Sequence, residues 1–116
     1  MLVSYSQKEL VNILVTLERI WGKSINVIKI DIKNAPFSLM DIEVQIYKKY
    51  NILLTYDRSL LGIYIMQNEK PIYIGKFTDE EIIGDFDSCK EAILLHNFRV
   101  LDDVLKTLDR QTEKAK

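Results

Sequence analysis

From Ile52 to Phe77 the chain repeats one short unit, an apolar run followed by a polar turn of about three residues. The runs are Ile52 to Tyr56, Leu61 to Gln67 and Ile72 to Phe77, with turns at Asp57-Arg58-Ser59 and Asn68-Glu69-Lys70. Connections this short join only antiparallel neighbours, since a parallel pair needs a crossover of a dozen residues or more. A meander of antiparallel strands is therefore expected, with the hairpin of Leu61–Gln67 and Ile72–Phe77 at its centre. Pro71, at the start of the returning strand, sits where a missing N–H is tolerated. Further upstream, Ile28, Ile30 and Ile32 alternate with Lys29, Asp31 and Lys33, so residues 25 to 33 read as a half-buried strand that Asn34-Ala35-Pro36 ends.

The ends of the chain follow a different period. Leu10, Ile13, Leu14, Leu17, Ile20 and Trp21 recur at three- and four-residue spacing, one apolar stripe of a helix over residues 6 to 21. Ser6 with Glu9 three residues on forms a capping-box pattern, and Gly22 stands where a left-handed C-terminal cap is wanted. Trp21 is expected at the seam between helix and sheet. After a turn at Thr78 to Glu81 and a short strand at Ile82 to Phe86, Ser88 and Glu91 repeat the capping pattern. They open a helix with Ala92, Leu95 and Ile93 inward. His96-Asn97 is read as an interruption, followed by a last helix from about Leu101 to Thr112 with Leu101, Val104, Leu105 and Leu108 inward and a frayed tail at residues 110–116.

Residues 38 to 51 satisfy both periods. Ile42, Val44 and Ile46 alternate with Asp41, Glu43 and Gln45 as a strand would, and their β-branching favours it. Leu39, Ile42, Ile46 and Tyr50 also share a helical face, with Ser38 as N-cap, Lys48 and Lys49 in the last turn and Asn51 as C-cap. The caps and the cationic end favour helix. Strands bracketed by helices give an α+β fold, an antiparallel meander of four to five strands packed with an N-terminal helix and C-terminal helices, in one domain over residues 1–116.

At 116 residues such a chain buries about two-thirds of its unfolded surface, enough for a core without disulfides or metal. Its one cysteine and one histidine cannot make an intramolecular disulfide or a four-ligand zinc site, and no cofactor motif is present. Sixteen basic against seventeen acidic residues leave no field to recruit nucleic acid directly. No signal-peptide pattern or membrane-length apolar run occurs, so a cytoplasmic protein is expected.

Enzymatic constellations are weak. Gly22-Lys23-Ser24 lacks the glycine of a phosphate-binding loop, Leu17 standing in its place, and the helix precedes the strand rather than following it. Cys89 near a helix start could be an activated thiol, but its one possible base, His96, lies seven residues away, about 10 Å along a helix. A non-enzyme is expected.

Charge is distributed unevenly. Residues 78 to 98 hold Asp79, Glu80, Glu81, Asp85, Asp87 and Glu91 against Lys90 alone, whereas residues 1 to 77 hold ten bases and seven acids. A solvated turn accounts for such a cluster, and so does a docking face for a basic partner. Tyr64 and Tyr73 alternate with isoleucines in the paired strands. If the isoleucines face the core, both rings lie on the outer face with a polar tip, the kind of side chain enriched at interface hot spots. Candidate partner-binding residues are Asp79, Glu80, Glu81, Asp85, Asp87, Tyr64 and Tyr73.

The succession Gly62-Ile63-Tyr64-Ile65, Ile72-Tyr73-Ile74-Gly75, Phe86-Asp87-Ser88-Cys89-Lys90-Glu91-Ala92-Ile93 and Leu101-Asp102-Asp103-Val104-Leu105 resembles the small α+β immunity proteins of bacterial contact-dependent and other polymorphic toxin systems, and small prophage proteins. The resemblance spans about residues 60 to 108 and is architectural, so it assigns no individual residue. It implies a non-catalytic inhibitor that binds a cognate toxin domain, often a nuclease with a basic active site. A regulatory or adaptor protein of prophage type, binding another protein without inhibiting it, is the other reading.

Overall fold

In the computed structural model, the described residues are 5–33, 39–57, 60–82 and 90–114. Helix α1 runs over Tyr5–Trp21, and strands follow at β1 (Ile25–Lys33), β2 (Leu39–Ile46), β3 (Tyr50–Asp57), β4 (Leu60–Gln67) and β5 (Lys70–Tyr73). Helix α2 spans Glu91–Lys114. The five strands form one sheet in sequence order, every neighbour antiparallel. This is the α+β meander that short polar turns dictate.

Both helices cover the same face of the sheet. From β2 to β4 every second side chain is buried there: Met40, Ile42, Val44 and Ile46, then Ile52, Leu54 and Tyr56, then Leu61, Ile63 and Ile65. Against them lie Ile13, Leu17 and Trp21 of α1 and Leu94, Phe98, Leu101 and Leu105 of α2. Trp21 is 5% exposed, and its indole meets the Phe98 ring at 6.0 Å between centroids, at the seam where it was expected. Gly22 closes α1 at φ +51°, a conformation that favours a residue without Cβ.

Several expectations are corrected. Residues 39–46 are strand, not helix. Each of the strand's two edges meets a full ladder, and Met40, Ile42, Val44 and Ile46 reach the core only at period two. The lysines expected in a helical last turn, Lys48 and Lys49, lie in the β2–β3 hairpin turn. The C-terminal region is one helix through His96-Asn97. Asn97 is fully buried inside it, and the stripe Leu94, Phe98, Leu101, Leu105 and Leu108 continues at three- and four-residue steps without a break. The last strand stops at Tyr73 rather than Phe77, because the backbone turns in a 3₁₀ segment at residues 74–76 that drops Ile74 into the core, closed by the Phe77 N–H on the Ile74 carbonyl at 2.9 Å. The β4–β5 hairpin is consequently the sheet's edge, and β3 is its centre. Ser6 lies inside α1 rather than at its cap, and Glu9 is buried. Ile82 is irregular, while the remainder of the expected strand to Phe86, together with Ser88 and Cys89, falls outside the described residues.

Candidate functional site

The sheet's second face carries no helix among the described residues. Register aligns one row of side chains across all five strands on that face: Lys29, Glu43, Leu53, Tyr64 and Tyr73. Its β1 end sets a lysine opposite a glutamate, and its β5 end is aromatic, with the Tyr64 and Tyr73 rings 5.8 Å apart and inclined at 61°. Both tyrosines thus stand on the outer face, as the alternation with isoleucine requires. Small residues seat the rings. A Cβ on Gly62 would come within 2.6 Å of Thr55 Oγ1 and 3.0 Å of Tyr64 Cε2, and one on Gly75 within 2.8 Å of Tyr73 Cε2. Glycine at these positions lets each ring lie down on the backbone, leaving Tyr73 44% exposed. Leu60, exposed at the other end of β4, adds apolar surface. An edge-to-face tyrosine pair on an open sheet gives a partner rigid, amphipathic area at low entropic cost.

The acidic segment lies on the other side. Phe77 and Ile82 pack against the core and pin the chain at both ends, so Thr78 to Glu81 bows outward with Asp79, Glu80 and Glu81 exposed. The Glu80 N–H donates to Thr78 Oγ1 at 3.1 Å, and His96 Nε2 donates to the Glu81 carbonyl at 3.0 Å, which fastens the bow to α2. His96 therefore spends one ring nitrogen on a backbone acceptor, which accounts for its presence structurally. A shallow cavity of about 330 Å³ opens beside Glu80, between His96, Arg99 and Asp103. Glu91 pairs with Arg19 of α1, so that acid is neutralised within the fold. Asp85 and Asp87 lie outside the described residues. The tyrosines and Asp79–Glu81 flank the same β5 edge but face opposite sides of the sheet.

A third cluster has no counterpart in the sequence reading. In the β2–β3 turn, Tyr47 and Lys48 both adopt left-handed backbone angles, φ 58° and 54°, conformations that disfavour side chains. Three contacts hold the turn there. The Tyr47 N–H donates to the Ser24 carbonyl at 2.7 Å, the Tyr47 hydroxyl to Asp102 Oδ1 at 2.6 Å, and Lys49 Nζ to Asp109 Oδ1 at 2.5 Å. Asp102 also accepts Trp21 Nε1 at 2.9 Å and Lys106 Nζ at 3.0 Å. Partial burial works to raise the Asp102 carboxyl, but the donors Tyr47, Trp21 and Lys106 outweigh it and hold it below the usual range. Burial and the neighbouring Asp102 charge push the Tyr47 phenol up to about 12. The hydrogen bond to Asp109 raises Lys49, and Lys49 in turn lowers Asp109. The shifts hold Asp102 and Asp109 as carboxylates, Lys49 as the ammonium and Tyr47 as the neutral phenol at pH 7, the states in which these hydrogen bonds join α1, the turn and α2. The spacing Asp102 to Asp109, seven residues on one helix face, is the signal that marks this cluster.

Among the described residues no group of His, Cys, Asp and Glu is placed to hold a metal ion, and no helix is long and apolar enough to cross a membrane. Comparison with protein-family models, with curated proteins and with solved structures gives no match.

Proposed function

We propose that this chain is a non-catalytic binding protein that docks on a basic protein domain and blocks it, in the manner of the immunity proteins it resembles, with a toxin nuclease domain in the cytoplasm as the expected kind of partner. The observation that carries the reading is the one-sided sheet. Two helices cover one face, and the other presents Leu53, Tyr64 and Tyr73 without a covering layer among the described residues. Asp79, Glu80 and Glu81 round the adjoining edge supply the charge that steers a basic partner, and none of the three forms an ion pair among the described residues.

The test begins with the full chain as bait in a lysate of its source, and the captured protein is then expressed alone and with the chain. Arrest of growth by the captured protein, relieved by co-expression, is the expected result. Replacing Asp79, Glu80 and Glu81 with lysine should slow association about tenfold at low ionic strength and much less at high salt. Tyr64→Ala with Tyr73→Ala should instead speed dissociation. A captured partner that leaves growth untouched favours the adaptor reading, and an association rate indifferent to the triple reversal makes the acidic bow a solvated turn.

A further inference from the structure

The two edges of the sheet differ. The β5 edge is four residues long, whereas β1 presents nine, about 30 Å of strand, with no neighbour beyond it among the described residues. Edge strands are ordinarily kept short or covered, since their unpaired N–H and C=O groups template further pairing. This one is long, with exposed apolar side chains between its charges. Val27, Ile28 and Ile30 are 48%, 55% and 38% exposed, although Val27 and Ile30 align with the buried Val44 and Ile42 on the helix-covered face. On the outer face, Asp31 stands directly opposite Asp41, a like-charge couple that weakens a cross-strand pair.

We propose that the occupant of this edge is a second copy of the chain, joined β1 to β1 in an antiparallel two-fold pairing centred on Ile30. Residues opposite one another in a sheet point to the same face, so a two-fold register can be centred only on a residue, never between two. Centring on Lys29 sets lysine against lysine. Centring on Asp31 sets aspartate against aspartate and Lys29 against Lys33. Centring on Ile32 pairs Asp31 with Lys33 but sets Ile30 against a position beyond Lys33, where β1 ends. Centring on Ile30 places Lys29 opposite Asp31 of the second copy, twice by symmetry, with Ile30 against Ile30 and Ile28 against Ile32, all within the strand. That register also sets a lysine directly opposite Asp31, whose partner on the β2 side is Asp41. The break in pairing between Val27 and Lys29 limits the regular seam to residues 28–32. The result is a continuous ten-stranded sheet with all helices on one side.

Sedimentation or light scattering across a concentration series tests it on the full chain. The expected result is a species of twice 13.6 kDa that falls to 13.6 kDa on dilution. Lys29→Asp and Asp31→Lys singly should each weaken the dimer about tenfold, because both symmetric pairs become like-charged, and the double swap should restore it. Both positions are exposed, and circular dichroism checks that each variant folds. A chain that remains at 13.6 kDa at every attainable concentration overturns the proposal. So does a dimer that the single reversals leave unchanged, or one that the double swap fails to rescue, since it would use another surface.

Discussion

Asp102→Ala tests whether the three-way lock beneath the β2–β3 turn sets the stability of the fold. The substitution leaves the Trp21 indole N–H, in a side chain only 5% exposed, without its acceptor at 2.9 Å. An unsatisfied buried donor costs about 1–3 kcal/mol. The Tyr47 hydroxyl can turn to water, and Lys106 is a surface i,i+4 partner worth about 0.3–0.5 kcal/mol, so these add little. The expected loss is about 1–3.5 kcal/mol by urea titration. For 116 residues, unfolding entropy of about 2.1 cal/mol/K per residue makes each kcal/mol about 4 °C, so the melting point should fall by about 4–14 °C.

Asp102→Asn separates charge from acceptor. It keeps an oxygen for Trp21 and should cost less at pH 7. Because the folded-state pKa of Asp102 is depressed, its ionised form contributes stability that is fully present above the ordinary aspartate value of 3.8 and lost as pH falls through the lower folded value. The Asn variant should therefore lose least, relative to wild type, at the acid end. A double-mutant cycle with Tyr47→Phe should show coupling of about 0.5–2 kcal/mol. A loss below about 1 kcal/mol for Asp102→Ala, or identical pH profiles for wild type and Asp102→Asn, refutes the lock.

Lys48→Gly should stabilise by about 0.5–1 kcal/mol, since Lys48 is exposed at φ 54° where glycine carries no Cβ penalty; a denaturant midpoint that falls instead contradicts the strained turn. Gly62→Ala should destabilise by about 1–3 kcal/mol through the 2.6 Å approach to Thr55 Oγ1, and adding Thr55→Ala should recover most of it, measured by thermal melts. Tyr56→Phe should be neutral or stabilising by up to about 1 kcal/mol, because the Tyr56 hydroxyl is buried with no hydrogen-bond partner among the described residues; a clear loss in the melt would show that the hydroxyl is satisfied.

The sheet was legible where a single period ran alone. Ile28-Lys29-Ile30-Asp31-Ile32 and the short turns admit no helix, and the Leu10-to-Trp21 stripe admits no strand. Residues 38 to 51 failed because Ile42 and Ile46, four apart, belong to both periods. Tertiary pairing with strands on both sides decided the matter, and nothing local reports it. The lysines that mimicked a cationic helix end serve a hairpin turn, one of them anchored on Asp109. His96-Asn97 misled for a similar reason. A polar pair suggests a break, yet His96 faces the Glu81 carbonyl at the surface while Asn97 is buried inside a continuous helix. Of the candidate site, the outward placement of Tyr64 and Tyr73 followed from alternation alone. The Tyr47–Asp102–Trp21 cluster did not, because it joins residues 26 and 55 positions apart that only the packing of α1 and α2 on one face brings together.

The fold keeps its two unpartnered regions apart. Tyr64, Tyr73 and the acidic bow belong to the β4–β5 end of the sheet, and the self-complementary strand is β1, with β2 and β3 between them. Joining two copies through β1 would carry the tyrosine pairs to the far ends of a ten-stranded sheet, on one common face, so each copy would keep its aromatic row free for a partner. Charge reversals at Lys29 and Asp31 act three strands away from Tyr64 and further still from Tyr73, beyond the reach of contact coupling and screened by salt over about 8 Å. Loss of self-association with partner binding intact, or the reverse, is therefore the outcome this topology requires if both surfaces are real. Loss of both together from either set of substitutions would mean that one surface serves both roles.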